Sequence, residues 1–163
     1  MSERYSTWIE IGGRIKQARV KSLLAAIRAA AVRLDWGEAY FEPKDAAELI
    51  ESRRDGVLQL CDEEARYGEF PELEKACRCL RLSYRRHSEG TCGYDAGLTD
   101  WRPGMSEPIY RRSSNEHTHE AMLLASEIEP ALKALMAGKT KQAIRVIQRM
   151  MPTIPDLPPF EIV

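Results

Sequence analysis

Residues 6–13 read Ser-Thr-Trp-Ile-Glu-Ile-Gly-Gly, and this stretch introduces the pattern of the whole fold. β-Branched and aromatic side chains followed by two glycines predict a strand over residues 6–11. Apolar residues then recur at helical spacing from Val20 to Leu34, which predicts an amphipathic helix over residues 18–32. A strand that leads directly into a helix indicates a domain that combines both.

The same alternation continues along the rest of the chain. The patterns predict a strand over 32–36, which Tyr40-Phe41 extends or follows, and a helix over 46–53 behind an Asp45–Glu48 capping box. A buried strand over 57–61 and a helix from Pro71 to Leu80 come next. Strands over 83–87, over 91–102 and from 108 then precede a helix over 121–135 and a last helix capped by Thr140. Pro130 predicts a kink or break near Glu129.

These elements predict one α+β domain over residues 1–151. Its sheet is expected to be mixed or mainly antiparallel, with helices packed on it. The last part of the domain, about 118–151, is predicted to be a helical hairpin that turns at Gly138.

The remaining segment, residues 152–163, is a proline-rich tail. Its four prolines prevent a helix or a central strand, so an extended conformation is predicted. The tail ends in Phe160-Glu161-Ile162-Val163, an apolar end that a disordered tail rarely carries. We therefore expect Phe160 to pack on the domain or on a neighbouring subunit, with an exposed linear motif as the alternative.

Composition bounds the class of protein. The 163 residues contain 24 Lys and Arg against 25 Asp and Glu, so the net charge of −1 does not indicate a nucleic-acid binder. No apolar run reaches the roughly 18–20 residues that span a bilayer, and the N-terminus lacks the build of a signal peptide. These features predict a cytoplasmic protein without membrane contact, in which the four cysteines are reduced thiols.

Three consecutive carboxylates are the catalytic candidates. Asp62, Glu63 and Glu64 follow the predicted strand 57–61, and strand ends are where α/β folds place catalytic carboxylates. His87 is a candidate base to act with them. This reading predicts a small hydrolase or nuclease, metal-independent or metal-assisted, and its alternative is an ordinary acidic turn.

Arginine pairs near aromatic residues suggest a second class, a direct binder of RNA or single-stranded DNA. The candidate residues are Arg85, Arg86, Arg111 and Arg112. Stacking side chains combined with cations hold unpaired bases. Arginines that form salt bridges on a mixed surface are the alternative.

A zinc site is the third candidate, built from Cys77, Cys79, His87 and Cys92. A helix turns Cys77 and Cys79 about 200° apart, which does not suit one tetrahedral centre. His117 and His119 lie in a polar stretch and are expected to be solvated. No metal and no cofactor are therefore predicted.

The acidic segment 34–74 is the strongest departure from an even charge distribution. It holds thirteen Asp and Glu against four Lys and Arg, a net of −9. Its candidate binding residues are Glu48, Glu51, Asp55, Glu63 and Glu64. They are predicted to dock on a basic partner or to imitate the phosphates of DNA, and the alternative is a solvated face.

Several stretches resemble small uncharacterised proteins of phages and other mobile elements of GC-rich bacteria. They are Tyr5–Ile15, Ala39–Pro43, Tyr67–Glu74, Arg86–Gly90 and Trp101–Met105. The resemblance spans roughly residues 5–110 and implies a bacterial cytoplasm and a role in element maintenance or against host defence. It implies no activity and no catalytic residue.

Together these observations predict a non-enzymatic interaction protein that binds a protein or a protein–nucleic-acid complex through the acidic surface, and an anti-defence inhibitor is one form that such a protein takes. The enzyme and the direct nucleic-acid binder remain the alternatives. A homodimer is also left open.

Overall fold

The computed structural model describes residues 3–90, 95–114 and 120–163. Within them the chain has the α+β architecture that the sequence predicts. The strands are β1 (Arg4–Ile15), β2 (Arg53–Arg54), β3 (Val57–Arg66), β4 (Ser83–Ser88), β5 (Gly97–Trp101), β6 (Ile109–Arg112) and β7 (Phe160–Ile162). The helices are α1 (Val20–Ala30), α2 (Ala46–Glu51), α3 (Pro71–Leu80), α4 (Ala125–Met136) and α5 (Thr140–Met150), and a short 3₁₀ turn covers Gln17–Arg19. No helix in these ranges is long and apolar enough to cross a membrane.

The sheet is built around β1, its longest strand. The strand order is β2-β3-β1-β4-β5-β6, and every neighbouring pair in this order is antiparallel. β7 pairs in parallel with the last three residues of β1. The sheet is therefore mainly antiparallel, as predicted.

β1 does not stop at Gly12 and Gly13, where the sequence predicts that it ends. The carbonyl of Pro158 occupies the place where a Cβ on Gly12 would lie, and Gly13 adopts a φ of 111°. Glycine is needed here because the C-terminal tail crosses the strand at close range. β1 then continues to Ile15 with β7 as its partner.

Side chains alternate along β1, so Ile9 and Ile11 lie on one face of the sheet and Trp8 and Glu10 on the other. Helices α1 and α3 pack against each other and contribute to the core on the first face, which we call the helix-covered face. The fully buried members of this core include Ile9, Ile11, Leu23, Ile27, Leu58, Leu60, Leu73 and Tyr84. Burying side chains of this size contributes about 1.5–3 kcal/mol each. We call the second face the opposite face.

Residues 32–41 form no strand, so the strand predicted over 32–36 and its continuation at Tyr40-Phe41 are wrong. Only a single bridge joins Arg33 to Cys61. Asp35 then accepts a hydrogen bond from its neighbour Trp36 N, and Gly37 adopts a φ of 74°. These two features turn the chain away from the sheet after one pairing.

β3 requires a second correction. It was predicted to end at Cys61 but runs to Arg66, because β1 begins at Arg4 and pairs with the added residues. Asp62, Glu63 and Glu64 therefore lie within the strand rather than at its end. The irregularity in the β1–β3 register falls at this point, between the pairs made by Tyr5 and Thr7.

The C-terminal hairpin differs from its prediction in three details. Helix α4 starts at Ala125 rather than near residue 121, and it continues through Pro130 without a break. The residue before α5 is Lys139, and it makes no side-chain capping bond, so Thr140 is the first helical residue rather than a cap. Gly138 ends the turn between the helices with a φ of 72°.

The proline-rich tail is ordered against the sheet. Its Phe160 is fully buried in the main core, as predicted. Arg53 Nη1 donates to the carbonyl oxygen of Phe160 at 2.9 Å, and Arg102 Nε donates to that of Pro155 at 3.0 Å. The tail thus joins both ends of the chain into one sheet through β1 and β7.

Candidate functional site

A buried carboxylate on β5 organises the opposite face of the sheet. Asp100 is fully buried, and its oxygens accept hydrogen bonds from Arg85 at 2.9 Å, Arg102 at 3.1 Å and Arg111 at 2.6 Å. Arg102 also donates to the carbonyl oxygen of Pro155, so the group connects β4, β5, β6 and the tail. Each guanidinium serves a fixed partner, and the arrangement holds the fold together.

Two groups beside this cluster have shifted pKa values. Burial raises the pKa of Glu10 above its ordinary value, and the positive charge of Arg85 across the β1–β4 ladder offsets part of that effect. Burial lowers the pKa of the Arg102 guanidinium, and Asp100 opposes this shift. The cause is in both cases the removal of a charged group from water.

His87, the candidate base, lies on β4 and is only 1% exposed. Its ring is 4.0 Å from the ring of Trp8, measured between centroids, and its Nε2 lies 3.0 Å from Ser113 Oγ. These contacts enclose the imidazole between β1 and the residue after β6. They give it little access to a substrate in solution.

The structure does not bring the candidate carboxylates to His87. β3 and β4 flank β1, and Trp8 pairs with both Cys61 and His87, so about 10 Å separates those two backbones. Asp62 instead accepts a hydrogen bond from Arg33 at 3.0 Å. Glu63 accepts one from Gly37 N at 2.9 Å, and Glu64 forms an exposed ion pair with Arg4.

The candidate nucleic-acid residues lie on two faces. Arg85 and Arg111 both bind Asp100 on the opposite face, whereas Arg86 and Arg112 belong by strand alternation to the helix-covered face. The carboxylate partners of the second pair are Glu74 and Glu69 for Arg86, and Asp95 and Glu127 for Arg112. The four arginines therefore form no common cationic surface.

The candidate zinc ligands are also dispersed. Cys77 is buried in the core, where burial raises the pKa of its thiol, and Cys79 is exposed on the same helix. His87 contacts Trp8 and Ser113, and Cys92 lies outside the described residues, as do His117 and His119. Within 3–90, 95–114 and 120–163, no three His, Cys, Asp or Glu side chains form a group that could hold a metal ion.

The acidic candidates divide into paired and unpaired side chains. Asp45 caps helix α2 as predicted, by accepting from Glu48 N at 3.1 Å, whereas the Glu48 side chain accepts from Lys44 N at 2.7 Å rather than from Asp45 N. Glu51 and Asp55 are exposed and form no ion pair in the described part of the chain. Of the predicted acidic binding residues, Glu51 and Asp55 are therefore the ones free to meet a cation.

A further surface appears on the C-terminal hairpin. Helices α4 and α5 contact each other through Ala131, Ala134 and Ala143, all buried, with Val146 packed beside them. Alanine side chains cover little area, so the interior of the hairpin is small. The large apolar residues of both helices lie elsewhere.

Those large residues are exposed. Leu132 is 54% exposed, Leu135 and Ile144 are each 48% exposed, and Ile147 is 38% exposed. We name six exposed residues of this region the hairpin face: Ile128, Leu132, Leu135, Ile144, Ile147 and Met151. The sequence predicted both helices but not the exposure of these side chains. The available signal was that each inward alanine directly precedes a large apolar residue, as in Ala131-Leu132 and Ala143-Ile144.

Helix α5 also carries a line of cations. Lys141, Arg145 and Arg149 recur every four residues, so they share one side of the helix, and we name them the cationic flank. All three are exposed, and none forms an ion pair with another residue that the structure describes. Most other arginines of the protein have a carboxylate or carbonyl partner.

A cavity of about 720 Å³ lies where the hairpin meets the sheet. Arg111 and Arg112 from β6, Met122 before α4, and Arg149 and Met151 from the end of α5 are among its lining residues. Glu127 binds Arg112 across one wall at 2.9 Å. This contact joins the base of the hairpin to the edge strand of the sheet.

Comparisons with known proteins add no relative. No family model matches the chain, and neither a curated protein nor a solved structure matches it. The resemblance to phage and mobile-element proteins stays a prediction.

Proposed function

We propose that this chain is a non-enzymatic protein-binding module and that it contacts its partner through the hairpin face. The exposure of large apolar side chains along two neighbouring helices carries this proposal. Scattered apolar residues on a surface need no explanation, whereas a contiguous patch of them is typical of an interaction site.

The way the hairpin is held supports this assignment. Its base is tied to β6 through Glu127 and Arg112, and the tail that follows α5 returns to the sheet. Neither of these contacts covers Leu132, Leu135, Ile144 or Ile147. A partner that buried them would remove apolar area from water at about 25 cal/mol per Å².

The non-enzymatic part of the proposal is supported by the contacts of the catalytic candidates. Asp62 is bound by Arg33, and His87 is enclosed by Trp8 and Ser113. Acid–base groups must reach a common proton, and these two side chains are held apart by their own partners.

The acidic surface is a second candidate for the binding site, because Glu51 and Asp55 are exposed and unpaired in the described ranges. A basic protein, or a protein–nucleic-acid complex, is the partner that such a surface would take. A role as an inhibitor of host defence belongs to the same proposal and depends on the identity of that partner.

Site-specific photo-crosslinking tests which surface is used. A photoreactive phenylalanine analogue is placed at Leu132 in one variant and at Glu51 in another, and each is expressed in the native host. We expect a discrete crosslinked protein from position 132 that disappears when Leu135→Glu is added. The Leu135→Glu chain serves as its own folding control through its melting temperature.

Two results would change the proposal. A partner crosslinked only from position 51 would move the binding site to the acidic surface. If neither position crosslinked a partner in the native host, the result would argue against a binding module.

A further inference from the structure

We infer that the partner of the hairpin face is an amphipathic helix with one acidic side. This inference rests on the proposed function and names the chemistry of the partner. Three properties of the hairpin lead to it: the side on which the two apolar stripes lie, the size of the face, and the charge on each of its edges.

The two stripes lie on the same side of the hairpin. On α4, Leu132 and Leu135 directly follow the inward Ala131 and Ala134, and on α5, Ile144 directly follows the inward Ala143. Each stripe is thus displaced by one residue, about 100°, in the same rotational sense. Because a three-residue connection makes the helices antiparallel, equal rotation turns both stripes toward one side. The result is an apolar groove between α4 and α5.

The size of the face suits one helix. The helices have 12 and 11 residues, so the face is about 17 Å long and about 20 Å wide. A stable globular interface buries about 800 Å² on each partner, more than this face offers alone. One amphipathic helix in the groove, at the usual interaxial distance of 8–10 Å, would cover it.

The charges set the chemistry of that helix. Lys141 and Arg145 of the cationic flank lie beside Ile144 on the outer edge of α5, and Arg149 lies one turn further on, where it lines the cavity between the hairpin and the sheet. None of the three has an ion-pair partner among the described residues. The outer edge of α4 is neutral, because Glu129 and Lys133 form an ion pair at 2.7 Å. A bound helix would therefore meet cations on one side only, which favours Asp or Glu along that side.

The same charges disfavour two other occupants. Residues 125–150 contain two Asp and Glu against five Lys and Arg, a net of +3, so two copies stacked through this face would repel each other. An anionic membrane surface would contact both edges of the hairpin equally, and only one edge is cationic. Helix binding in a groove uses the observed asymmetry.

A displayed peptide library tests the inference with the full chain as target. All members share apolar residues at helical spacing, and the positions along both sides are randomised between Glu and Lys. We expect enriched peptides to carry Glu along one side and to compete with one another for binding in the groove. The variant Lys141→Gln/Arg145→Gln should bind a selected peptide roughly fivefold more weakly, because two rim charge pairs are lost.

A matched variant controls for loss of positive charge in general. Lys21→Gln/Lys75→Gln removes two exposed cations that lie on other parts of the surface, and it should bind the peptide unchanged. Binding to the wild-type chain should also weaken with salt, and the salt dependence should decrease in the cationic-flank variant alone.

The failures of the two proposals differ in this design. Enrichment without charge preference, or in favour of Lys, would overturn the acidic helix but leave the protein-binding module. Concentration-dependent dimerisation that Leu132→Glu abolishes would assign the groove to a second copy, and co-sedimentation with phosphatidylglycerol vesicles would assign it to a membrane. No enrichment together with no crosslink from position 132 would overturn both.

Discussion

In the sheet body, large side chains point inward and charged ones are paired, whereas in the C-terminal hairpin small side chains point inward and large ones point out. Leu58, Leu60 and Leu73 of the body are fully buried, and Leu132 of the hairpin is 54% exposed. Asp100 in the body holds three arginines, and the three residues of the cationic flank on α5 hold no carboxylate among the described residues. The two regions have similar composition but opposite arrangements.

This difference separates what folds the chain from what is available for binding. The core of the body and its central ionic cluster are satisfied within the chain, although Glu51, Asp55 and several aromatic residues stay exposed on its surface. The hairpin leaves both kinds of group unsatisfied in neighbouring positions, which is the composition of a binding surface rather than of a core. Four predictions test the two regions.

The largest effect is expected at the point where the tail enters the body. Phe160→Ala should lower the free energy of unfolding by about 4–5 kcal/mol, because the side chain is fully buried in the main core. Urea unfolding measures the change. Val163→Ala, at a residue that is 55% exposed, should stay within about 0.5 kcal/mol of the wild type. Equal effects at the two positions would mean that the tail does not pack as described.

Two leucine truncations compare the regions directly. Leu60→Ala should destabilise the protein by about 3–4 kcal/mol because it opens a cavity in a fully buried site. Leu132→Ala should cost at most about 1 kcal/mol, since its side chain already contacts water. Equal destabilisation by Leu132→Ala and Leu60→Ala would contradict the difference between the two regions, because the hairpin face would then be part of a folded core.

The ionic cluster gives the next largest effect. Asp100→Ala should reduce the free energy of unfolding by about 3 kcal/mol, because Arg102 would remain buried without its carboxylate. The value lies at the low end for a buried pair, since Arg85 and Arg111 can turn toward water. Asp95→Ala removes an exposed partner of Arg112 and should change stability by less than about 1 kcal/mol. A neutral result for Asp100→Ala would show that the cluster is solvated.

The smallest effect concerns pH. Burial raises the pKa of Glu10 above 4.5 in the folded protein, so the folded state binds the proton more tightly than the unfolded state. The contribution of Glu10 to stability therefore decreases as the pH rises from its pKa in the unfolded chain, about 4.5, through its higher pKa in the folded protein. Above that range the charged carboxylate lowers stability by a constant amount. Glu10→Gln should be slightly more stable than the wild type at pH 7 and lose this advantage below pH 4.5. Denaturant unfolding at both pH values provides the check, and a destabilised variant at pH 7 would contradict it.

The sequence predicted the elements whose period is long and whose ends carry a turn residue. Helix α3 follows from Pro71 at its start and from Leu73, Cys77 and Leu80 on one side. The sequence could not predict that Asp62 to Glu64 remain inside β3, because their pairing depends on β1 beginning at Arg4, more than fifty residues earlier in the chain. It also predicted a strand at 32–36 from alternation that the turn at Trp36 and Gly37 overrides.

The sequence predicted the candidate sites less well than the helices and strands, because the contacts of these residues are made with distant parts of the chain. Residue type suggested a catalytic group from Asp62 and His87 and a cationic surface from Arg85, Arg86, Arg111 and Arg112. Each of these side chains has a partner that is distant in sequence, such as Arg33 for Asp62 and Asp100 for Arg85. A pairing of this kind has no period, so no local pattern indicates it.

By itself the sequence determined the α+β class, the order of most helices and strands, and the extended tail with an apolar end, because these depend on the local spacing of side chains along a helix or a strand. The tertiary structure alone decided which apolar stripe is covered and which charges are paired. A stripe on α1 and a stripe on α4 look alike as sequence, yet Leu23 is fully buried and Leu132 is exposed. Burial is a property of what lies opposite a residue: α1 packs on α3 and shares the main core, whereas α4 and α5 bury mainly alanines against each other and leave Leu132 and Ile144 in contact with water.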